Sequence, residues 1–202
     1  MRKYEDISII CEGLERQRSY YIPENGAANL NGIWKFKFFE ADYEEAYTQK
    51  QWSEIDVPSC WQTRGYEAPN YANVAYPFPY NPPYVPAKNP MGIYEREFEL
   101  GDTAGETYIV FEGVCSCLEL YINGKYAGFS QGSHLQAEFN ISALVRVGVN
   151  TITAKVRKWC FGSYLEDQDM FRYNGIFRDV YLLSRPKNHI RDISITTNKN
   201  II

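Results

Sequence analysis

The sequence predicts an all-β antiparallel sandwich. Short runs of period-two alternation recur along the chain, turn residues separate them, and hardly any segment carries helical periodicity. A length of 202 residues with 45% hydrophobic and 16% aromatic content is enough for one large β domain with a sizeable core.

The elements follow in order. Gly32 to Phe39 alternates around Trp34, Phe36 and Phe38. Glu40 to Trp52 has charges suited at most to a short surface helix. Gly92 to Leu100 reads as a strand, Gly101-Asp102 as a turn, and Thr107 to Glu112 as the next strand. Cys117 to Ser130 is the clearest hairpin. Leu118, Leu120 and Ile122 share a face, and Asn123-Gly124 supply the positive φ angles of a type I′ turn. Phe139 to Leu144 leads to a turn at Gly148-Val149-Asn150. Ile152, Ala154 and Val156 then alternate with Thr153, Lys155 and Arg157, and Ile176 to Leu183 forms the last strand of the sandwich.

Tyr66 to Pro90 differs. It holds seven of the ten prolines and five of the 17 tyrosines. Proline removes ladder donors, so this is no interior strand, yet it is too apolar for a disordered linker. An ordered functional loop is the expectation. After Arg185-Pro186, Asn188 to Thr197 alternates again through Ile190, Ile193 and Ile195, and reads as the first strand of a following domain. The expected organisation is a domain over 1–186 and a linker or truncated strand over 187–202.

Composition narrows the function. Net charge is −4 with no Lys/Arg cluster, against a nucleic-acid partner. No apolar run approaches a membrane span, so no membrane partner is expected. The N-terminus lacks a signal-like apolar core, and Cys11, Cys60, Cys115, Cys117 and Cys160 make an odd count; reduced thiols and a cytoplasmic location are expected. Only His134 and His189 could join them, without zinc-ligand spacing. His134 follows Ser133, but a sequence neighbour is not a positioned base. No Rossmann or Walker pattern occurs.

The densest chemistry lies in Gly162 to Asp179, GSYLEDQDMFRYNGIFRD, where Glu166, Asp167 and Asp169 fall among aromatic residues. Such charge needs water, a cation or a polar ligand. In extended backbone Asp167 and Asp169 share a face, roughly 6.5–7 Å apart between Cα atoms. A retaining glycosidase needs carboxyls about 5–5.5 Å apart in environments that split their pKa values, and neighbours on one loop share an environment. The pattern favours an acid that binds over a pair that reacts; the alternative is a solvated loop paired with Arg172 and Arg178. Asn73 in the aromatic loop offers a donor and an acceptor to a sugar hydroxyl pair, or equally to an Asx-turn.

These segments carry a resemblance. Asn31-Gly32-Ile33-Trp34-Lys35-Phe36, Val57-Pro58-Ser59-Cys60-Trp61-Gln62, Tyr71 to Pro77, Asn81-Pro82-Pro83, Asn89-Pro90, Gly162 to Met170 and Gly175 to Val180 resemble, in order, the first domain of glycoside hydrolase family 2 β-galactosidases. The resemblance covers almost the whole chain. It implies a jelly-roll-like antiparallel β-sandwich, galactose-binding-domain-like, followed by an immunoglobulin-like domain and a (β/α)8 barrel. It places the catalytic glutamates and a magnesium ion on the barrel, outside this chain, so no catalytic residue is expected here. By motif match it assigns Asn73 and Asp169 to substrate binding and Asp169 also to a sodium ion. It implies an intact homo-oligomeric enzyme that hydrolyses terminal β-D-galactosides with retention, and a fragment inactive alone. A free-standing lectin-like module is the alternative. Phe171 stands where the family usually has Trp, Tyr173-Asn174 replaces a smaller, less polar pair, and Cys160-Phe161 replaces Ser-Asp.

Overall fold

The computed structural model describes residues 2–22, 26–73, 76–102, 105–166 and 168–197. In chain order the strands are β1 (Cys11–Glu12), β2 (Ala27–Asn29), β3 (Gly32–Phe39), β4 (Ser53–Val57), β5 (Asn70–Ala72), β6 (Met91–Leu100), β7 (Glu106–Phe111), β8 (Val114–Cys115), β9 (Cys117–Ile122), β10 (Lys125–Gln131), β11 (Ala137–Asn140), β12 (Gly148–Arg157), β13 (Met170–Arg172), β14 (Gly175–Ile176) and β15 (Val180–Arg185). Four short 3-10 turns interrupt them. Every strand pairing is antiparallel.

A seven-stranded sheet runs β1-β10-β9-β12-β6-β3-β4, and a four-stranded sheet runs β11-β7-β15-β2. Their inner faces make one core. The first sheet supplies Trp34, Phe36, Tyr94, Leu118, Leu120, Ile152 and Val156; the second supplies Ile109, Phe111, Phe139, Val180 and Leu182. The alternation read in β3 and β12 is this inward face. The Asn123-Gly124 turn joins β9 to β10, with φ of 52° and 74°. This is the expected all-β sandwich.

Several boundaries move. The charged run after Phe39 is a 3-10 turn, Asp42–Ala46. Gly148 opens β12 rather than a turn, and the Asn150 side chain closes the preceding bend by accepting from the Arg146 amide and donating to the Arg146 carbonyl. β11 ends at Asn140, since the chain turns through Ile141–Leu144. The last expected strand is split into β14 and β15, with Phe177–Asp179 between them.

Asn188–Thr197 was expected as a strand and is not one in its described residues. It has no neighbouring strand to complete a ladder, so alternation alone fails. Ile190, Ile193 and Ile195 are exposed, while Asp192 accepts from the Ser19 amide and Arg191 donates to the Arg16 carbonyl. Both segments meet at Glu138, a buried carboxylate of β11 that takes Arg18 at 2.9 Å and Arg191 at 3.9 Å, beside Arg185 of β15 at 2.6 Å.

Candidate functional site

The proline-tyrosine segment is ordered by bonds to the run that precedes the acidic stretch. Asn89 is fully buried; its Nδ2 donates to the Trp159 carbonyl and its Oδ1 accepts from the Trp159 amide, both at 2.9 Å. Tyr76 donates to the Tyr164 carbonyl, and Tyr164 donates to the Tyr84 carbonyl at 2.6 Å. Phe78, Val85, Trp159, Cys160 and Tyr164 share a second apolar cluster, with Phe161 packed against it. Cys160-Phe161 therefore fills apolar space.

Inside that segment lies β5, a strand its prolines did not advertise. It pairs with β13 in the register Ala72 to Met170, Tyr71 to Phe171 and Asn70 to Arg172. Asn73 follows this ladder and Asp169 precedes it, each in the bend at the same end of the pair. The structure thus brings together the two residues singled out from the sequence.

Between them stands Tyr71, which sequence reasoning missed. Its hydroxyl donates to Asp169 Oδ1 and accepts from Asn73 Nδ2 at 3.2 Å. Its position two before Asn73 was the available signal, because alternate residues of an extended chain share a face. The Tyr71 ring lies 5.5 Å from that of Phe171, which lies 6.0 Å from Tyr173. All three rings are exposed, an aromatic step beside a carboxylate and an amide.

The other acids separate in role. Glu166 accepts from the Ser133 amide and hydroxyl, both at 2.6 Å, and so pins one loop to another. The Ser133 hydroxyl is thereby turned to Glu166, and the His134 ring packs on Phe177. Asp167 lies outside the described residues. Arg178 donates to the carbonyls of His134 and Glu112. Arg172 is buried and donates to the Ser163 carbonyl.

Below the acidic stretch the Gln62 amide meets buried Asn174 twice: Gln62 Nε2 donates to Asn174 Oδ1 at 3.1 Å, and the Asn174 amide donates to Gln62 Oε1 at 2.9 Å. Asn174 Nδ2 also donates to the Lys158 carbonyl at 3.3 Å. The polar replacement before Gly175 is satisfied in place. A cavity of about 250 Å³ beside this region is lined by Cys60, Ser133, His134, Glu166, Phe171 and Tyr173, among others; Asn73 and Asp169 are not in its wall. Burial pushes the Cys60 and Cys115 thiols up, so no thiolate is poised there.

The model of the glycosyl hydrolases family 2 sugar binding domain matches residues 27–186. The chain belongs to this family. It is 46% identical over 180 residues to "Beta-galactosidase 2" of Enterobacter cloacae, covering 85% of this chain and 18% of that protein. It is 44% identical over 205 residues to a beta-galactosidase of Photobacterium profundum, covering 97% and 19%. The chain thus spans less than a fifth of the curated relatives it matches. Among solved structures it resembles a β-glucuronidase from Ruminococcus gnavus in complex with uronic deoxynojirimycin, with a TM-score of 0.61 and 18% identity over 83% of this chain and 31% of that one. A β-D-mannosidase from Dictyoglomus thermophilum gives 0.54 and 18% over 79% and 23%. These likenesses show the family 2 sugar-binding fold, and the candidate site on it is the β5–β13 ladder.

Proposed function

We propose that this family 2 domain is the galactose-binding part of a longer β-galactosidase that hydrolyses terminal β-D-galactosides with retention. The observation that carries the reading is the convergence of Asn73 and Asp169 on one hydroxyl across the β5–β13 ladder. A carboxylate accepts from a sugar hydroxyl, and a carboxamide both gives and receives. The names of the relatives supply the galactoside.

Asp169 also suits one place in the shell of a sodium ion, a hard cation that takes oxygen ligands. Among the described residues no group of three or more His, Cys, Asp or Glu could hold a metal. On the family resemblance, the remaining sodium ligands, the catalytic glutamates and a magnesium ion would come from the rest of the longer chain, where an immunoglobulin-like domain and a barrel are the expected partners. Homo-oligomeric assembly and a cytoplasmic location complete the proposal.

In the full-length enzyme, Asn73→Ala and Asp169→Ala should each lower kcat/KM on a chromogenic β-galactoside by roughly 10–100-fold, the equivalent of a charge-assisted hydrogen bond. Wild-type turnover in both would defeat the reading. The 202-residue chain alone should give only background hydrolysis.

The exposed step of Tyr71, Phe171 and Tyr173 favours a second reading, a module that binds sugar unaided. Calorimetric titration of galactose into the isolated domain separates the two. Binding there supports the module, and its absence supports a shared pocket.

A further inference from the structure

The two proposed sugar ligands are exposed side chains on short segments, and an exposed carboxylate ordinarily samples several rotamers. Here one phenol restrains both. Tyr71 and Asn73 leave the same face of an extended chain. Asp169 lies in the bend just before β13, within reach of the Tyr71 side chain on the paired strand. The Tyr71 oxygen gives its single proton to Asp169 Oδ1 and receives one from Asn73 Nδ2. A phenol has one donor and free lone pairs, so the two bonds do not compete. Phe171, directly opposite, packs on the Tyr71 ring and limits its swing.

We infer that Tyr71 is a positioning residue: its hydroxyl fixes the Asp169 carboxylate and the Asn73 carboxamide relative to one another, so that Asp169 Oδ2 is the oxygen offered to sodium or to a galactose hydroxyl. The inference rests on the proposed roles of Asn73 and Asp169. Groups that orient a metal ligand commonly change metal affinity by about 10–100-fold when removed.

The test uses the full-length enzyme with Tyr71→Phe, which deletes one oxygen and keeps the ring on Phe171, beside Asn73→Ala and Asp169→Ala. Hydrolysis of a chromogenic β-galactoside is measured across sodium chloride concentration, with ionic strength held by a tetraalkylammonium salt. Tyr71→Phe should raise the sodium concentration for half-maximal activity, and the KM, about tenfold. Its kcat at saturating sodium and substrate should stay within about twofold, which a general structural defect would not allow. A second readout needs no turnover. The rise in unfolding midpoint produced by sodium and galactose should shrink in Tyr71→Phe, while the midpoint without either stays at the wild-type value.

Unchanged sodium dependence and KM in Tyr71→Phe, with both alanine variants impaired, overturns this inference and leaves the functional proposal standing. A loss of activity that merely follows the folded fraction overturns it as well. Wild-type behaviour in both alanine variants defeats the functional proposal itself.

Discussion

The Trp61 indole N–H donates to the Tyr94 hydroxyl at 2.6 Å in the middle of the sandwich. Trp61 belongs to the 3-10 turn after β4, and Tyr94 to β6 in the large sheet. Both are buried, and burial pushes the Tyr94 phenol up despite that bond. One hydroxyl thus ties the large sheet to the turn that carries Trp61, whose own backbone amide donates to the Asn174 carbonyl just beyond the candidate site.

Tyr94→Phe keeps the ring and leaves the buried Trp61 indole N–H without that acceptor. Stability should fall by about 1–3 kcal/mol, measured by denaturant unfolding. A change smaller than about 0.5 kcal/mol would mean that water or a small shift replaces the bond.

Gly175 should tolerate no side chain. Its φ is 123°, and a Cβ there would lie 2.9 Å from both the Ser59 carbonyl oxygen and the Tyr94 hydroxyl. Gly175→Ala should destabilise by at least about 2 kcal/mol, from strain at the dihedral plus a backbone clash. Gly124 is the control: its φ of 74° meets open space, so Gly124→Ala should cost only about 1 kcal/mol. Equal losses would refute the steric argument.

Such contrasts show what the sequence could convey. The Asn123-Gly124 hairpin and the inward alternation of β3 and β12 were legible because each is local: a turn pair, or a period of two. β5 was not, because three residues carry no pattern and Pro69 stands directly before them. Its partner in β13 lies far along the chain, so their ladder is visible only in three dimensions. Asn73 and Asp169 were found through motif resemblance. Tyr71 was missed because among 17 tyrosines it looked like any other. Asn188–Thr197 forms no strand among the described residues, because alternation records which side a residue could face, and not whether a neighbouring strand is present.

Glu138 supplies an acid-sensitive clasp. Burial raises its carboxyl, but hydrogen bonds from Arg185 and Arg18 and their charges outweigh that and hold it below the usual glutamate range. A depressed carboxyl contributes stability that is fully present above the unfolded-state value of about 4.3 and is lost as pH falls through the lower folded value. Glu138→Gln should cost about 3 kcal/mol at neutral pH, since two buried guanidinium groups lose their counter-charge. Unfolding free energy measured from pH 7 down to 3 should fall less steeply in the variant. Parallel curves would remove Glu138 from the acid response.

Asp169→Asn separates charge from hydrogen bonding. The carboxamide oxygen still accepts from Tyr71, so stability should change by less than about 0.5 kcal/mol. Half-maximal activation of the full-length enzyme should need about tenfold more sodium, because a neutral carboxamide oxygen holds a hard cation less tightly than a carboxylate. An unchanged sodium titration of hydrolysis would count against Asp169 as the ion's ligand.

The short β5–β13 ladder has a temporal consequence. Tyr71 and Asp169 are separated by 98 positions, and closing a loop of that size is a contact made slowly and late. Half of the recognition surface leaves the ribosome long before the other half exists. A stalled chain holds the phenol and the Asn73 carboxamide without the carboxylate that the proposed site needs. Under the proposed role, ligand binding would therefore be a certificate of finished folding, issued only when two segments 98 positions apart have found one another.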